Sequence, residues 1–237
     1  MKLTFLGHSA VLLRHGPHEV LIDPFLTGNP QATVAADALS PQTIVITHAH
    51  ADHVGDAVAI ARRSGARIVA AVEVVAKLQR DAGPDATGAG GPTFLGANIG
   101  GRVALPFGAL RFTPAWHSSG FADGSYGGMP MGVVLELGER RIYHAGDTGL
   151  FGDMALIGRH GLDVALLPIG GHYTMDPSEA LEAVRLLRPR HVVPIHYGTF
   201  GLIEQDVLAF RDAVAALGDE AGGAVVVPLA PGEAWDL

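Results

Sequence analysis

Three histidines and an aspartate that lie within six residues are the part of the chain best suited to metal chemistry. They belong to the segment Thr47-His48-Ala49-His50-Ala51-Asp52-His53. Neutral imidazole and carboxylate groups are suitable ligands for zinc, manganese, iron or nickel. The apolar run 43–46 before the segment predicts a buried strand, and residues 54–63 after it predict the opening of a helix. The cluster is therefore expected on a strand-to-helix turn at the carboxyl end of a strand, where open α/β folds bind their ligands.

Single histidines and aspartates follow other predicted strands further along the chain. His117, Asp147 and His196 each come shortly after a predicted strand, in three separate parts of the sequence. One histidine at a strand end is more often structural than functional. An ordered series of this kind is much stronger evidence, and a histidine-rich surface loop would leave it unexplained. The series predicts a metal centre built from the ends of several strands.

The series divides into two ligand sets that share one carboxylate. The first ion is expected to be held by His48, His50 and His117, and the second by Asp52, His53 and His196, with Asp147 as the bridge. Two adjacent divalent cations can share a hydroxide, because they lower the pKa of its parent water. Neither set fills its coordination with protein ligands, which distinguishes catalytic from structural metal sites. We expect zinc, manganese or nickel as the metals, no other cofactor, and Asp52 and His172 as catalytic residues.

The composition predicts an ordered protein and argues against several functional classes. The chain of 237 residues has a net charge of -8 and no basic run, so no nucleic-acid partner is expected. Cysteine is absent, which excludes disulfides and thiolate ligands. The sequence contains neither a signal-peptide core nor an apolar stretch of membrane-spanning length. We therefore expect a cytoplasmic, single-domain protein over residues 1–237 that acts on a small molecule away from membranes.

The strand pattern continues along the chain without a break in composition. Strands are predicted at 2–6, 10–14, 19–22, 43–46, 67–71, near 94, and at 103–105, 110–114, 132–137, 140–144, 163–167, 191–195 and 225–228, and helices from 54, at 72–80, 177–187 and 204–217. Asp176 as N-cap, Pro177 at the first helical position and Glu179 three residues after the cap mark one helix start. The Gly-rich residues 83–101 predict a loop region with one short strand, and residues 121–131 predict a flexible loop that could cover the pocket and select the substrate.

Three residues at predicted turns each have two interpretations. Asp23 is either a turn cap before a proline or a carboxylate that orients a metal-binding histidine from behind. His172 either contacts substrate or stabilises an oxyanion, or else it caps the helix that follows. His8, in the first hairpin turn, either supports the metal ligands or has a purely structural role.

The ligand series, together with Asp23, resembles the metallo-β-lactamase superfamily over essentially the whole chain. Four shorter stretches are similar to a branch of metal-dependent hydrolases akin to bacterial ascorbate-6-phosphate lactonases, namely residues 7–9, 23–30, 144–148 and 168–175. The resemblance implies an α+β fold, a four-layer αβ/βα sandwich of two mixed sheets flanked by helices, with the dimetal site at one sheet edge. It also implies that Asp23 orients a ligand, and that the protein forms a homo-oligomer.

The leading functional hypothesis is a hydrolase that uses a hydroxide held by two metal ions to cleave a small, anionic lactone, ester or phosphodiester. A redox protein of this fold would need a flavin partner domain, for which the chain has no room. A nuclease or phosphodiesterase acting on nucleic acid would usually carry an inserted clamp domain and a basic surface. A non-catalytic metal-binding module is a further alternative, against which the open coordination positions argue. The substrate does not follow from the fold.

Overall fold

The computed structural model describes residues 1–83 and 91–237. The chain forms two compact units. Unit 1 comprises Met1–Gly101, Ser118–Pro130 and Ala230–Leu237, and unit 2 comprises Arg102–His117 and Met131–Leu229. Each unit contains one seven-stranded sheet. The prediction of a single domain over residues 1–237 stays a prediction.

The sheet of unit 1 begins as an antiparallel meander and continues with parallel strands. Its strands are β1 (Lys2–Gly7), β2 (Ala10–His15), β3 (His18–Ile22), β4 (Thr43–Val45), β5 (Arg67–Ala71), β6 (Thr93–Ala97) and β14 (Ala234–Asp236), in the order β14-β1-β2-β3-β4-β5-β6. Pairing is antiparallel from β14 to β3 and parallel from β3 to β6. The helices of this unit are α1 (Ala51–Val54), α2 (Ala57–Ser64) and α3 (Val72–Ala82). Parallel neighbours need such crossover connections.

The sheet of unit 2 follows the same plan. Its strands are β7 (Arg102–Leu105), β8 (Gly108–Pro114), β9 (Met131–Leu137), β10 (Arg140–His144), β11 (Val164–Pro168), β12 (His191–Ile195) and β13 (Val225–Val226), in the order β13-β12-β11-β10-β9-β8-β7. Pairing is antiparallel from β7 to β10 and parallel from β10 to β13. The helices are α4 (Met154–Gly158), α5 (Pro177–Leu187) and α6 (Val207–Leu217). The parallel strands of each unit therefore end at one common edge of its sheet.

Buried aliphatic side chains explain why the parallel strands form. Every residue of β4 and of β11 is buried, as expected for strands covered on both faces. In unit 2, Tyr143, Met154, Val184 and Phe210 belong to one buried cluster between the sheet and its helices. Burial of each such side chain contributes roughly 1.5–3 kcal/mol. In the ranges that the structure describes, no helix is both long and apolar enough to cross a membrane.

The structure confirms most predicted elements, and it corrects some. The strand predicted near residue 94 is β6, whereas residues 84–90 of the predicted loop lie outside the described residues. Helix α4 and strand β14 were not predicted, and the last predicted strand covers only Val225–Val226 and does not close the chain. Both missed elements are short, so they contain too few residues for a hydrophobic period to be recognised.

Two helices begin at other residues than predicted. In place of the one helix expected from Val54, α1 begins already at Ala51 and ends at Val54, and α2 begins at Ala57. Gly55 has a φ of 42°, and a Cβ at this position would lie 2.3 Å from the carbonyl oxygen of Pro24, so only glycine fits. The helix expected at 204–217 begins at Val207, because the side chain of Asp206 caps it there.

Replacing Asp176 by alanine is expected to lower the free energy of unfolding by about 1 kcal/mol. The Asp176 carboxylate accepts hydrogen bonds from the backbone N–H groups of Ser178 and Glu179 at 2.8 and 2.9 Å. The bond from Glu179, followed by that from the Ser178 hydroxyl, holds the pKa of Asp176 below its usual value. A lowered pKa stabilises the fold above the pKa of the unfolded chain, so this contribution should be lost as the pH falls through the folded-state pKa.

Chemical unfolding at neutral and at acid pH would measure the effect of this substitution. Asp153 is the matched control, because it is the N-cap of α4 but its side chain makes no capping bond. Asp153→Ala should therefore leave the unfolding free energy nearly unchanged. Equal losses in both variants would contradict the capping argument.

Candidate metal centre

Residues with metal-binding donor atoms gather at strand ends and helix starts in both units. They are His8, His48, His50, Asp52 and His53 in unit 1, and His117, Asp147 and His196 in unit 2. All seven residues predicted as metal ligands are among these candidates, together with His8, which was predicted to support them. His172 is not in any such group among the described residues. The assignment of each residue as a ligand stays a prediction.

Asp23 is the buried carboxylate that orders the histidines of unit 1. It follows β3, is inaccessible to solvent, and accepts hydrogen bonds from the backbone N–H of Thr47 at 2.8 Å and from the Thr47 hydroxyl at 2.7 Å. Its Oδ2 also lies 2.7 Å from Nδ1 of His53. Nδ1 of His53 must carry the proton in this bond, so its Nε2 presents the lone pair that a metal requires. Asp23 thus contacts a predicted ligand, and its role in orienting that ligand toward a metal stays a prediction.

The same carboxylate acts on His48 through Thr47. Nδ1 of His48 lies 3.0 Å from the Thr47 hydroxyl. Because that hydroxyl donates its proton to Asp23, it can only accept from His48, which places the proton on Nδ1 and the lone pair on Nε2. Nε2 of His48 is 2.9 Å from Nδ1 of His50, so the two ring nitrogens point toward one another. Asp23 therefore fixes the tautomer of two predicted ligands.

Two serines that the sequence analysis did not single out support the 47–53 turn. The Ser118 hydroxyl lies 3.3 Å from Nε2 of His50, the ring nitrogen opposite to the one that faces His48. The Ser119 hydroxyl accepts from the backbone N–H of Ala49 at 3.2 Å and donates to the carbonyl of Gly127 at 3.1 Å. A Cβ on Gly127 would lie 2.2 Å from that of Ala49, so this close approach requires glycine. The two consecutive serines after His117 are the feature of the sequence that could have indicated these contacts.

The segment predicted as a flexible loop forms a hydrogen-bonded turn in unit 1. The backbone N–H of Phe121 donates to the carbonyl of Ser125 at 2.9 Å, and Lys77 of α3 pairs with Asp123 at 3.0 Å. Hydrogen bonds from Ser125, and then from Lys77, hold the pKa of the Asp123 carboxyl below its usual range. The ammonium of Lys77 also lies 5.5 Å from the centre of the Phe121 ring. A role for this segment in substrate selection stays a prediction.

His8 lies beside Asp52 rather than apart from the ligand candidates. Its ring is fully buried, and its Nε2 is 3.2 Å from Oδ2 of Asp52. The carboxylate of Asp52 is 33% exposed, whereas that of Asp23 is 0% exposed. His8 can therefore hold Asp52 in position while one face of this carboxylate stays accessible to a reactant. The supporting role of His8 stays a prediction, since His8 is itself one of the candidate ligands.

In unit 2, Asp147 lies between the two predicted histidine ligands. Its Oδ2 is 3.0 Å from Nε2 of His196 and 3.6 Å from Nε2 of His117. The backbone holds this arrangement, because the N–H of Trp116 donates to the Thr148 hydroxyl at 2.9 Å. A central carboxylate flanked by two imidazoles is the arrangement expected of the predicted bridging residue.

Left-handed backbone conformations are concentrated at the predicted site. Among the described residues, the non-glycine residues with positive φ are His8, Asp23, His172, Arg188 and His196, with φ between 46° and 55°. Each such residue costs about 1–3 kcal/mol, and such conformations cluster at functional sites. Four of these five residues had been predicted as site residues. The exposed His172 ring packs edge-on against Tyr173 at 4.5 Å, and its catalytic role stays a prediction.

Replacing Ser118 by alanine is expected to weaken metal binding by roughly 10–100-fold, the usual cost of losing a partner that orients a ligand. Without the hydroxyl, Nε2 of His50 loses the contact that orients the ring. Competition with a chromogenic chelator would measure the change. Ser178→Ala is a control, since this serine lies at the start of α5 and contacts Asp176. Equal metal affinities of the Ser118 variant and the unmodified protein would contradict this role.

Comparison with known proteins shows the family of this chain. A family model described as "Beta-lactamase superfamily domain" matches residues 18–197. A "UPF0173 metal-dependent hydrolase" of Thermus thermophilus is 49% identical over 237 residues, which cover 100% of this chain and 99% of that protein.

Solved structures agree with this result. A metallo hydrolase from the hyperthermophilic archaeon Ignicoccus hospitalis matches with a TM-score of 0.85 and 40% identity over 100% of this chain and 98% of its own. A metallo-β-lactamase fold protein from Bacillus subtilis matches in fold, with a TM-score of 0.74 at 14% identity over 99% of this chain and 98% of its own. The expected fold class, with two mixed sheets flanked by helices, is confirmed. The finer resemblance to ascorbate-6-phosphate lactonases stays a prediction. The chain therefore belongs to the beta-lactamase superfamily and, within it, to the UPF0173 metal-dependent hydrolases.

Proposed function

We propose that the protein hydrolyses a small, anionic lactone, ester or phosphodiester with two divalent metal ions. The ions would be held by His48, His50, Asp52, His53, His117, Asp147 and His196, as predicted from the sequence. The observation that carries the proposal is the buried contact of Asp23 with His53 and, through Thr47, with His48. Such contacts orient imidazoles that bind a metal and set which ring nitrogen carries the proton.

The donor set fits zinc, manganese or nickel. Its nitrogen donors are imidazoles, of which those of His48 and His53 have proton-accepting partners at Nδ1, and its oxygen donors are carboxylates. No thiolate is available, since the chain contains no cysteine. When bound, the metal ions would supply a hydroxide nucleophile at neutral pH and polarise the bond under attack.

The side chains of this protein then have three tasks. Asp23, Thr47 and Ser118 keep the imidazoles in one tautomer and orientation. Asp52 is the partly exposed carboxylate of unit 1, so it can receive a proton from water or pass one to the leaving group. His172, which is exposed four residues after the end of β11, would contact the substrate rather than ligate a metal.

The charge of the metal centre would admit an anionic substrate. Two divalent cations would offset the three carboxylates of Asp23, Asp52 and Asp147 and a bound hydroxide, so the site would not share the negative charge of the whole chain, which is -8. When bound, the ions would dominate the local field. The proposal includes a homo-oligomer because the family resemblance implies one.

Elemental analysis of the purified protein, combined with a hydrolysis screen, tests the proposal. The screen covers lactones, phosphodiesters and thioesters with added manganese, zinc or nickel, and protein stripped by a chelator serves as the control. About two metal ions per chain and metal-dependent turnover are expected. A protein that takes up no metal on incubation would contradict the proposal and favour a vestigial site.

A further inference from the structure

A basic cavity in unit 2 lies away from the predicted metal ligands of that unit. It has a volume of about 470 Å³ and is lined by Arg140, Arg141, Arg188 and Arg190 together with residues 160–163. These residues surround the beginnings of β10, β11 and β12, whereas Asp147 and His196 follow the ends of β10 and β12. A strand rises about 3.3 Å per residue, so the five residues of β12 place the two ends roughly 15 Å apart.

The cavity concentrates positive charge in an acidic protein. Four guanidinium groups line it, against the carboxylates of Glu139 and Asp163, and Glu136 lies 3.7 Å from Nε of Arg141. The whole chain, in contrast, has a net charge of -8. A guanidinium group is a planar cation that can bind an anion through several N–H donors. Arginines that cluster around one cavity of an acidic protein create a local positive potential, which attracts an anion.

Asp163 orders the arginines without neutralising them. Its Oδ2 accepts from the backbone N–H of Arg141 at 2.9 Å, and its Oδ1 accepts from Arg140 at 3.0 Å and lies 3.7 Å from Arg190. A guanidinium has five N–H donors, so one shared carboxylate leaves Arg140 and Arg190 with further donors. The side chain of Arg190 is 75% exposed, and that of Asp163 only 15%. The carboxylate thus lies behind the guanidinium groups.

Arg188 lines the cavity with an unfavourable backbone conformation and a side chain that is fixed by hydrogen bonds. It follows α5 with a φ of 47°, in the left-handed region where glycine is usual. Its guanidinium donates to the carbonyl oxygens of Glu220 and Asp219 at 2.9 and 3.1 Å, which fixes the side chain. Apart from the predicted site residues, it is the one described non-glycine residue with this conformation.

We propose that this cavity binds a small molecule with two or more adjacent phosphate groups. Arginine pairs with phosphate oxygens through two parallel hydrogen bonds, and several guanidinium groups exceed what one phosphate can use. The cavity volume of about 470 Å³ falls in the range of sites for small organic molecules and exceeds what a single inorganic ion fills. The ligand is therefore a polyphosphate ester of nucleotide size, and the site is separate from the metal centre.

Calorimetric titration of the full chain with pyrophosphate and with orthophosphate, at constant ionic strength, tests this inference. Saturable binding of one pyrophosphate per chain is expected, tighter than that of orthophosphate. The double variant Arg140→Gln, Arg190→Gln should weaken binding by at least about tenfold, because it removes two charge-assisted contacts. Arg211→Gln is the matched control, since Arg211 is an exposed arginine of α6 that pairs with Asp212.

Two further variants keep the test decisive. Phosphate could also bind at the metal centre, so the titration is repeated with Asp147→Ala, in which pyrophosphate binding should persist. If the double variant does not fold, Arg190→Gln alone replaces it, because this side chain is largely exposed. Absence of saturable binding, or equal binding by the double variant and the Arg211 control, would overturn the inference. Tighter binding of a single-stranded oligonucleotide than of pyrophosphate would also overturn it and indicate a nucleic-acid surface.

Discussion

Replacing either His50 or Asp147 by alanine is expected to remove metal from the protein and to abolish hydrolysis, while the fold persists. His50 belongs to unit 1, where its Nδ1 faces Nε2 of His48, and Asp147 belongs to unit 2, where it lies between two histidines. Each loss should exceed the roughly 10–100-fold cost of removing a residue that only orients a ligand. Metal content by elemental analysis and turnover in excess metal would measure both effects.

Controls of the same residue types separate these effects from nonspecific damage. His15→Ala removes a histidine at the end of β2, away from the ligand candidates, and Asp212→Ala removes a carboxylate that is 70% exposed on α6. Both control variants should retain metal and activity. Thermal unfolding of all four proteins should show similar folded baselines. Unchanged metal content in both the His50 and Asp147 variants would refute the ligand assignment.

The candidate ligands could be predicted because they occupy positions that a sequence reveals. Each follows an apolar run that predicts a strand, and parallel strands end at a common edge. Strand β8, which precedes His117, ends at the same edge as β10, because both are antiparallel to β9. The spacing of His48, His50, Asp52 and His53 adds a pattern that random surface residues seldom produce. The sequence also placed Asp176, Pro177 and Glu179 at the start of α5, because capping acts over a few neighbouring residues.

The contacts that orient the ligands could not be predicted in the same way. Thr47 and Ser118 are small hydroxyl residues that occur everywhere in loops, and Ser118 lies 68 positions after His50 in the chain. Asp23 precedes a proline, which is equally typical of a plain turn. The family resemblance implies that Asp23 orients a ligand, but its contacts depend on the register of β3 and β4, which pairs Ile22 with Val45 and brings the residues after each strand together. Sequence periodicity does not contain that register.

Short elements were missed for a related reason. Strand β14 forms because Leu3 of β1 pairs with Trp235, near the opposite end of the chain. The pairing energy comes from backbone hydrogen bonds between distant segments, and three residues are too few for an alternating pattern. The comparison with the family identifies the fold although these short elements were not predicted, because it uses the sequence of the whole chain.

Asp23→Asn is expected to weaken metal binding by roughly 10–100-fold with a small change in shape. Asparagine tolerates the left-handed conformation that Asp23 adopts at a φ of 46°. Its amide, however, has one accepting oxygen, whereas Asp23 accepts three hydrogen bonds from Thr47 and His53. An NH₂ group facing His53 would move the imidazole proton from Nδ1 to Nε2, the nitrogen that a metal requires.

Asp23→Ala should also destabilise the apoprotein, by about 3 kcal/mol, because it leaves the Thr47 backbone N–H and His53 Nδ1 buried without an acceptor, each at a cost of roughly 1–3 kcal/mol. Urea unfolding of metal-free protein measures this loss, and chelator competition measures the metal affinity of the asparagine variant.

Asp56→Asn distinguishes tautomer control from simple loss of stability. Asp56 lies in the same unit and accepts from the backbone N–H groups of Leu26 and Thr27 at 3.1 and 2.8 Å, so its carboxylate supports the backbone rather than an imidazole. Its substitution should therefore lower stability and leave metal affinity unchanged. If Asp23→Asn and Asp56→Asn reduce metal affinity equally, the effect arises from general loosening of the turn. A loss confined to the Asp23 variant means that this carboxylate sets the proton positions on the metal-binding histidines.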